Sequence, residues 1–227
     1  MTFTPQDYLD LDHTDHRQLF ENATNLWEPL KQIASYLQFR LKPAFNGKLL
    51  GKPFVSGAVF IGKGTVVEHG AMVKGPAWIG EGCHIRNGCY VRENVIVGDG
   101  VVLGNSCEFK NCIIFDGAQI PHFNYVGDSI LGYKSHLGAG VILSNVKLDH
   151  SEITVLTNDG LIPTGLKKFG AILGDRSEVG CNSVLSPGSI LGRNTIVYPG
   201  SQWKGVMPAD HIAKFRQSFS LVERRAP

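Results

Sequence analysis

From Leu49 onward an apolar residue returns every sixth position: Leu49, Val55, Ile61, Val67, Val73, Ile79, Ile85, Val91, Val97, Leu103, Phe109 and Phe115. A second run keeps the beat through Leu173, Val179, Leu185, Leu191, Val197 and Trp203. The fifth place of many hexads is small, as in Thr65, Ala71, Ala77, Cys83, Cys89 and Cys107. A period of six matches neither the three-to-four-residue return of a helix nor the alternation of a half-buried strand. It matches a short strand followed by a turn. Three hexads close a coil of about 18 residues, and stacked coils pair their backbones as parallel strands around a column of inward aliphatic side chains.

Three segments fall outside the beat. Upstream, "DHRQLFENATNLWEPLKQIASYLQFRL" places Leu19, Phe20, Leu26, Leu30, Ile33, Leu37 and Leu41 at helical spacing, which predicts a helical cap over 1–45 with Pro29 opening its second stretch. Downstream of the solenoid, 46–206, "PADHIAKFRQSFSLVERRAP" predicts a short helix and a basic tail over 207–227. Between the two runs, Ser144 to Ile172 must leave the coil as a long loop, and loops of that length are functional or disordered.

Stacking carries a chemical consequence. Residues 18 apart sit about 4.8 Å apart on neighbouring coils, and Lys74, Arg92 and Lys110 have that spacing. Any one of them reads most simply as a solvated side chain. Three in register form a ladder of like charge that invites an anion, and a guanidinium beside an ammonium suits phosphate. The beat then stumbles, with steps of five from Phe115 to Ile120 and from Val126 to Leu131. In the deformed stretch "IPHFNYVGD" stand His122 and Tyr125, and a histidine titrates in the range that suits a general base at neutral pH.

Composition narrows the reading. The 227 residues carry 22 basic and 20 acidic side chains, a balance that predicts no nucleic-acid partner. The polar start and the lack of any run of 18 apolar residues predict neither export nor a membrane span, hence a cytoplasmic protein. Cys83, Cys89, Cys107, Cys112 and Cys181 contain no C-x-x-C pair and read as reduced, packed thiols. The eight histidines include no H-x-x-x-x-H pair, so zinc chemistry on the same architecture is discounted and no metal is expected.

The hexads "IGKGTV", "IGEGCH" and "VGDGVV" resemble those of the left-handed parallel β-helix, and the handedness rests on that resemblance. The blocks E-F-K, H-x-x-Y-x-G-D and L-G-A-G, in that order within "CEFKNCIIFDGAQIPHFNYVGDSILGYKSHLGAGVILSN", are more specific. They resemble the acetyltransferase domain of the bifunctional N-acetylglucosamine-1-phosphate uridyltransferase/glucosamine-1-phosphate acetyltransferases, and more closely that of archaeal sugar-1-phosphate nucleotidylyltransferases. The similarity runs from about Asn46 to Trp203.

It implies an acetyl-CoA-dependent N-acetyltransferase acting on an amino-sugar phosphate, with His122 as the base. Arg92, Lys110, Tyr125 and Lys168 would meet the acceptor, and Ala139 and Asn145 the coenzyme. His136 stands where the family has a sugar-contacting asparagine, Val146 where it has a tyrosine, and Cys181 where a serine lies near the coenzyme. The resemblance further implies a homotrimer whose loop brings Asn145 and Lys168 to a neighbouring subunit. The glycine-rich nucleotidyltransferase signature is absent, so no uridylyl transfer is expected and a separate nucleotidyltransferase would be a partner. Two other functions stay open: an acyltransferase of the same fold for another amino sugar or sugar nucleotide, and a non-catalytic trimeric scaffold.

Overall fold

The structure, a computed structural model, describes residues 3–216 and 218–224. Twenty-six short parallel strands wind into a three-faced solenoid, with nine rungs on the first and second faces and eight on the third. The first face starts at Ala44–Phe45, the second at Lys48–Leu49 and the third at Phe54–Ser56. Each strand turns its hexad residue inward, and Ile61, Val67, Val73, Ile79, Ile85 and Val91 are all fully buried in one continuous core with Ala71, Cys83, Cys89 and Cys107.

The chain turns most corners through one residue in the left-handed region. Between the second and third faces these are Gly51, Gly70, Gly88, Ser106, Phe123, Gly140, Asn182 and Gly200.

The coil length changes midway. Val59, Ala77 and Val95 stack 18 residues apart, but Val95 pairs with Cys112, Glu108 with Tyr125 and Gln119 with His136. The middle coils therefore hold 17 residues. The lost residue lies at the corner after the third face, where Asn111 and Asp128 take positive φ. This moves the first short step to Phe109–Ile114: Ile114 fills the inner column, whereas Phe115, expected there, turns outward onto Phe20 with ring centroids 5.5 Å apart.

First-face strands such as Val95–Val97 and Cys112–Ile114 are buried on both sides. Their outward Ile96, Ile113, Ile130, Ile172 and Ile190 need a cover, and the segment before residue 44 supplies it through Leu19, Phe20, Leu26, Trp27, Leu30, Ile33 and Leu37. Each such buried side chain contributes about 1.5–3 kcal/mol. Here the expectation of a cap is corrected. The segment straps the side of the solenoid, and its helical parts are short, Pro29 lying in the 3-10 turn Glu28–Lys31 that leads into helix Ile33–Arg40.

Two further expectations change. Residues 207–224 hold no helix among those described. Ile212–Ala213 instead pairs with Ile196–Val197 as a last rung, because Met207 and Ala213 still have an inner column to pack against. The long loop carries an antiparallel hairpin, Ile153–Thr157 with Gly160–Leu166, and buries Ile153 and Val155 with Phe169 against the first face of its own chain. Its apolar side thus finds a partner without a second subunit. Among the described residues no helix is long and apolar enough to cross a membrane.

Candidate functional site

The corner between the second and third faces stacks three predicted residues. Asn105 pairs with His122, the Gly140 N–H donates to the His122 carbonyl at 3.0 Å, and the Asn182 N–H donates to the Ala139 carbonyl at 2.8 Å. His122, Ala139 and Cys181 thus occupy successive turns of one edge, at rungs of about 4.8 Å. His122 is exposed, and its imidazole makes no protein hydrogen bond among the described residues. The Ala139 N–H likewise has no protein acceptor among them. A free imidazole and a free N–H one rung apart can serve a base and an oxyanion donor.

Two neighbours shape this edge. Phe123 follows His122 with φ +55° and is 58% exposed, in a place that glycine fills on most other turns. A bulky side chain there is strained, and such strain gathers at functional sites. Asn124 stands where the other turns carry small inward residues. Its carboxamide oxygen accepts the His122 N–H at 3.1 Å, and its nitrogen donates to the Gly138 carbonyl at 2.7 Å.

The third face turns its basic ladder outward, as the spacing predicts. Lys74 and Arg92 continue strands joined by the Val73–Val91 pair, and Lys110 continues the strand joined by Phe109–Val91. The ladder ends where Lys110 meets Gly127. A Cβ at Gly127 would lie 2.5 Å from the Tyr125 hydroxyl oxygen and 2.8 Å from the Asn145 amide nitrogen, so glycine is what lets Tyr125 fold back along its own strand.

Two members of the ladder are already partnered. Arg92 Nη1 donates to Glu108 Oε1 at 2.9 Å, which holds the guanidinium pKa above its ordinary value, and Lys74 Nζ donates to the Tyr90 hydroxyl at 3.1 Å. An anion entering here competes with Glu108 for Arg92. Glu108 is a residue that spacing alone did not single out.

Beside Gly127 a polar cluster ties the loop root to the coil. Buried Asp128 accepts from the Asn111 carboxamide at 2.9 Å and from that of Asn145 at 2.6 Å, and Asn145 also donates to the Tyr125 hydroxyl at 3.3 Å. Burial first, then the Asp128 charge, raises the Tyr125 pKa, so its proton is retained at neutral pH. The Phe169 N–H donates to the Asn145 carbonyl at 3.0 Å, which sets exposed Lys168 at the same root. Asn145 and Tyr125 meet within the chain, and Lys168 stands at the same loop root.

His136 lies on the other side of the edge. With Glu178, Cys181 and Tyr198 it lines a groove of about 290 Å³ on the second face, away from the Arg92 and Lys110 surface. Cys83, Cys89, Cys107 and Cys112 are buried free thiols, and burial lifts Cys83 to about 11. Cys181 alone of the five is exposed. Among the described residues no group of three or more His, Cys, Asp or Glu is placed to hold a metal ion.

Residues 73–167 match the family model described as the GMPPB C-terminal domain. The chain is 35% identical over 96 residues to a bifunctional sugar-1-phosphate nucleotidylyltransferase/acetyltransferase of Sulfurisphaera tokodaii, an overlap that covers 42% of this chain and 24% of that protein. It thus spans about a quarter of the length of this bifunctional relative. It is 38% identical over 172 residues to YaiX of Escherichia coli, described as a putative uncharacterized acetyltransferase, covering 74% of each. Among solved structures it overlaps perosamine N-acetyltransferase from Caulobacter crescentus with CoA and GDP-perosamine at 20% identity, 73% of this chain, 51% of that chain and a TM-score of 0.31, too loose to add to the assignment. On the extent of the YaiX match, and on hexads that close into the solenoid they imply, the chain belongs to the hexapeptide-repeat acetyltransferases.

Proposed function

We propose that the protein transfers the acetyl group of acetyl-CoA to the amine of an amino-sugar phosphate such as glucosamine 1-phosphate. The observation that carries this reading is the shared edge of His122 and Ala139 beside the Arg92 and Lys110 ladder. Between His122 and the ladder's rung at Gly127 the chain turns the corner at Phe123 and crosses the third face, five residues or at most about 17 Å of chain, a gap for long basic side chains and a sugar phosphate to bridge.

The ladder fixes the acceptor's phosphate, displacing Glu108 from Arg92. His122 accepts a proton from the acceptor ammonium or amine, and the nitrogen attacks the thioester carbonyl. The oxygen that gains charge is met by the Ala139 N–H; as the tetrahedral adduct collapses the C–S bond breaks, and the departing thiolate of CoA takes up the proton that His122 removed from the nitrogen. Holding both reactants on one edge lowers the entropic cost of their encounter, and the base contributes about a hundred- to ten-thousandfold. No covalent enzyme intermediate enters, so Cys181 lines the coenzyme's path rather than attacking.

The test is an acetyl-CoA consumption assay over amino sugars with and without a phosphate. Lys110→Ala raises KM for the phosphorylated acceptor by about tenfold or more, the loss of a charge-assisted contact. It leaves unphosphorylated amino sugars unaffected. An equal effect on both acceptors removes the phosphate grip from the account. A second acceptor class, a nucleotide-linked amino sugar, keeps a place in the panel because His136 and its groove supply a wall that the ladder does not.

A further inference from the structure

Asp128 lies outside every role assigned above, yet it bonds to Asn145, to the Lys110 backbone and to Gly170 at the loop's return. It is 6% exposed, holds φ +48° and, among the described residues, pairs with no lysine or arginine. Its N–H donates to the Lys110 carbonyl at 2.9 Å, and its carbonyl accepts from the Gly170 N–H at 2.8 Å. One carboxylate oxygen takes the Asn111 carboxamide at 2.9 Å and the other takes Asn145 at 2.6 Å.

An ionised carboxylate only accepts, so the group that Asn145 turns toward it must be the NH2. The second hydrogen of that NH2 goes to the Tyr125 oxygen at 3.3 Å. Both Asn145 donors are then spent. Its Oδ1 is left as an acceptor, and the Tyr125 O–H, whose oxygen already receives a hydrogen bond, is left to donate. Without the carboxylate, the carboxamide has no reason to prefer this orientation over its flip.

We infer that Asp128 is a positioning residue: it sets the orientation of the Asn145 carboxamide, and so presents Asn145 Oδ1 and the Tyr125 O–H as an acceptor–donor pair to the bound sugar, which moves Asn145 from the coenzyme, where the resemblance put it, to the acceptor. The inference rests on the acetyltransferase reading for its ligand but not for its geometry. An acceptor–donor pair on adjacent side chains matches a hydroxyl or amine of a sugar, which both gives and takes a hydrogen bond. Asp128 also sits between the phosphate grip, through Lys110, and the loop return, through Gly170, so it holds these two parts of the site in one frame.

The test is Asp128→Asn, which is neutral and nearly isosteric but can offer an oxygen to only one of the two carboxamides. KM for the acceptor rises by about ten- to hundredfold, the range for losing a hydrogen bond to a charged group. The value of kcat stays within about threefold, and KM for acetyl-CoA is unchanged. Acceptor KM at the wild-type value in this variant overturns the inference.

An independent measurement needs no turnover. In the wild-type protein the Asn145 side-chain amide protons, assigned by NMR through Asn145→Ala, exchange slowly, and in Asp128→Asn they exchange at the solvent rate. Solvent-rate exchange in the wild type also overturns the inference. Should the wild type acetylate none of the acceptors, the proposed reaction fails while the amide measurement still decides the role of Asp128.

Discussion

Phe123 takes its corner with φ +55° although glycine fills that place on five other turns and Ser106 and Asn182 fill two more. With 58% of its surface exposed, its side chain gains little from packing here. Phe123→Gly removes about 1–2 kcal/mol of left-handed strain and raises the thermal midpoint. It lowers turnover, because the strained corner aims His122. A variant that is both less stable and fully active contradicts that account.

His122, Tyr125 and the ladder were legible because period and spacing placed them. Glu108, Asn124 and Asp128 were not. The roles of Asn124 and Asp128 depend on the 17-residue coils, whose register is a property of the corners Asn111 and Asp128 rather than of the repeat, whereas Glu108 reaches Arg92 diagonally across an 18-residue coil. Asn145 entered only through the resemblance, and the structure supplies its physical partner.

The strap before residue 44 shows how a helical pattern can be read correctly in kind and misplaced in position. Apolar spacing gives the amphipathic character but not the surface that receives it; the receiving surface is the doubly apolar first-face strands. The same logic explains the C-terminal rung, where "HIA" continues an inner column that a helix would leave open.

His16 marks where the strap is sensitive to acid. It is 1% exposed, takes a hydrogen bond with the Tyr36 hydroxyl at 3.0 Å, and stands edge-on to Trp78. Its Nε2 has no partner among the described residues. Burial, reinforced by Arg40, lowers its pKa from 6.5 to about 4. Because the folded state refuses a proton that the unfolded chain accepts, the stabilisation is complete above pH 6.5 and is lost as pH falls towards 4. The loss amounts to about 3 kcal/mol. Urea midpoints at pH 7.5 and 4.5 should therefore differ more in the wild type than in His16→Gln, and an equal difference contradicts the assignment.

As a whole, the molecule presents the candidate site on a convex edge. The first face is covered by the strap and the hairpin, whereas the edge bearing His122 and Ala139 has a groove on one side and the open third face on the other. A convex edge cannot by itself enclose a sugar and a thioester. A second wall is required, and we propose that two further copies supply it in a homotrimer. Sedimentation should give three times the 24.8 kDa of one chain. A monomer at assay concentration, fully active, would remove that wall from the account.

The central claim, that His122 carries an acetyl group transfer to a phosphorylated amino sugar, is tested most directly by following N-acetylated product by mass spectrometry. Wild-type protein and His122→Ala are each supplied with acetyl-CoA and the acceptor panel. The account predicts product from an amino-sugar phosphate with the wild type, and a drop of about a hundred- to ten-thousandfold with a folded His122→Ala variant. Product formed at the wild-type rate by that variant, or none from any acceptor with the wild type, would contradict it.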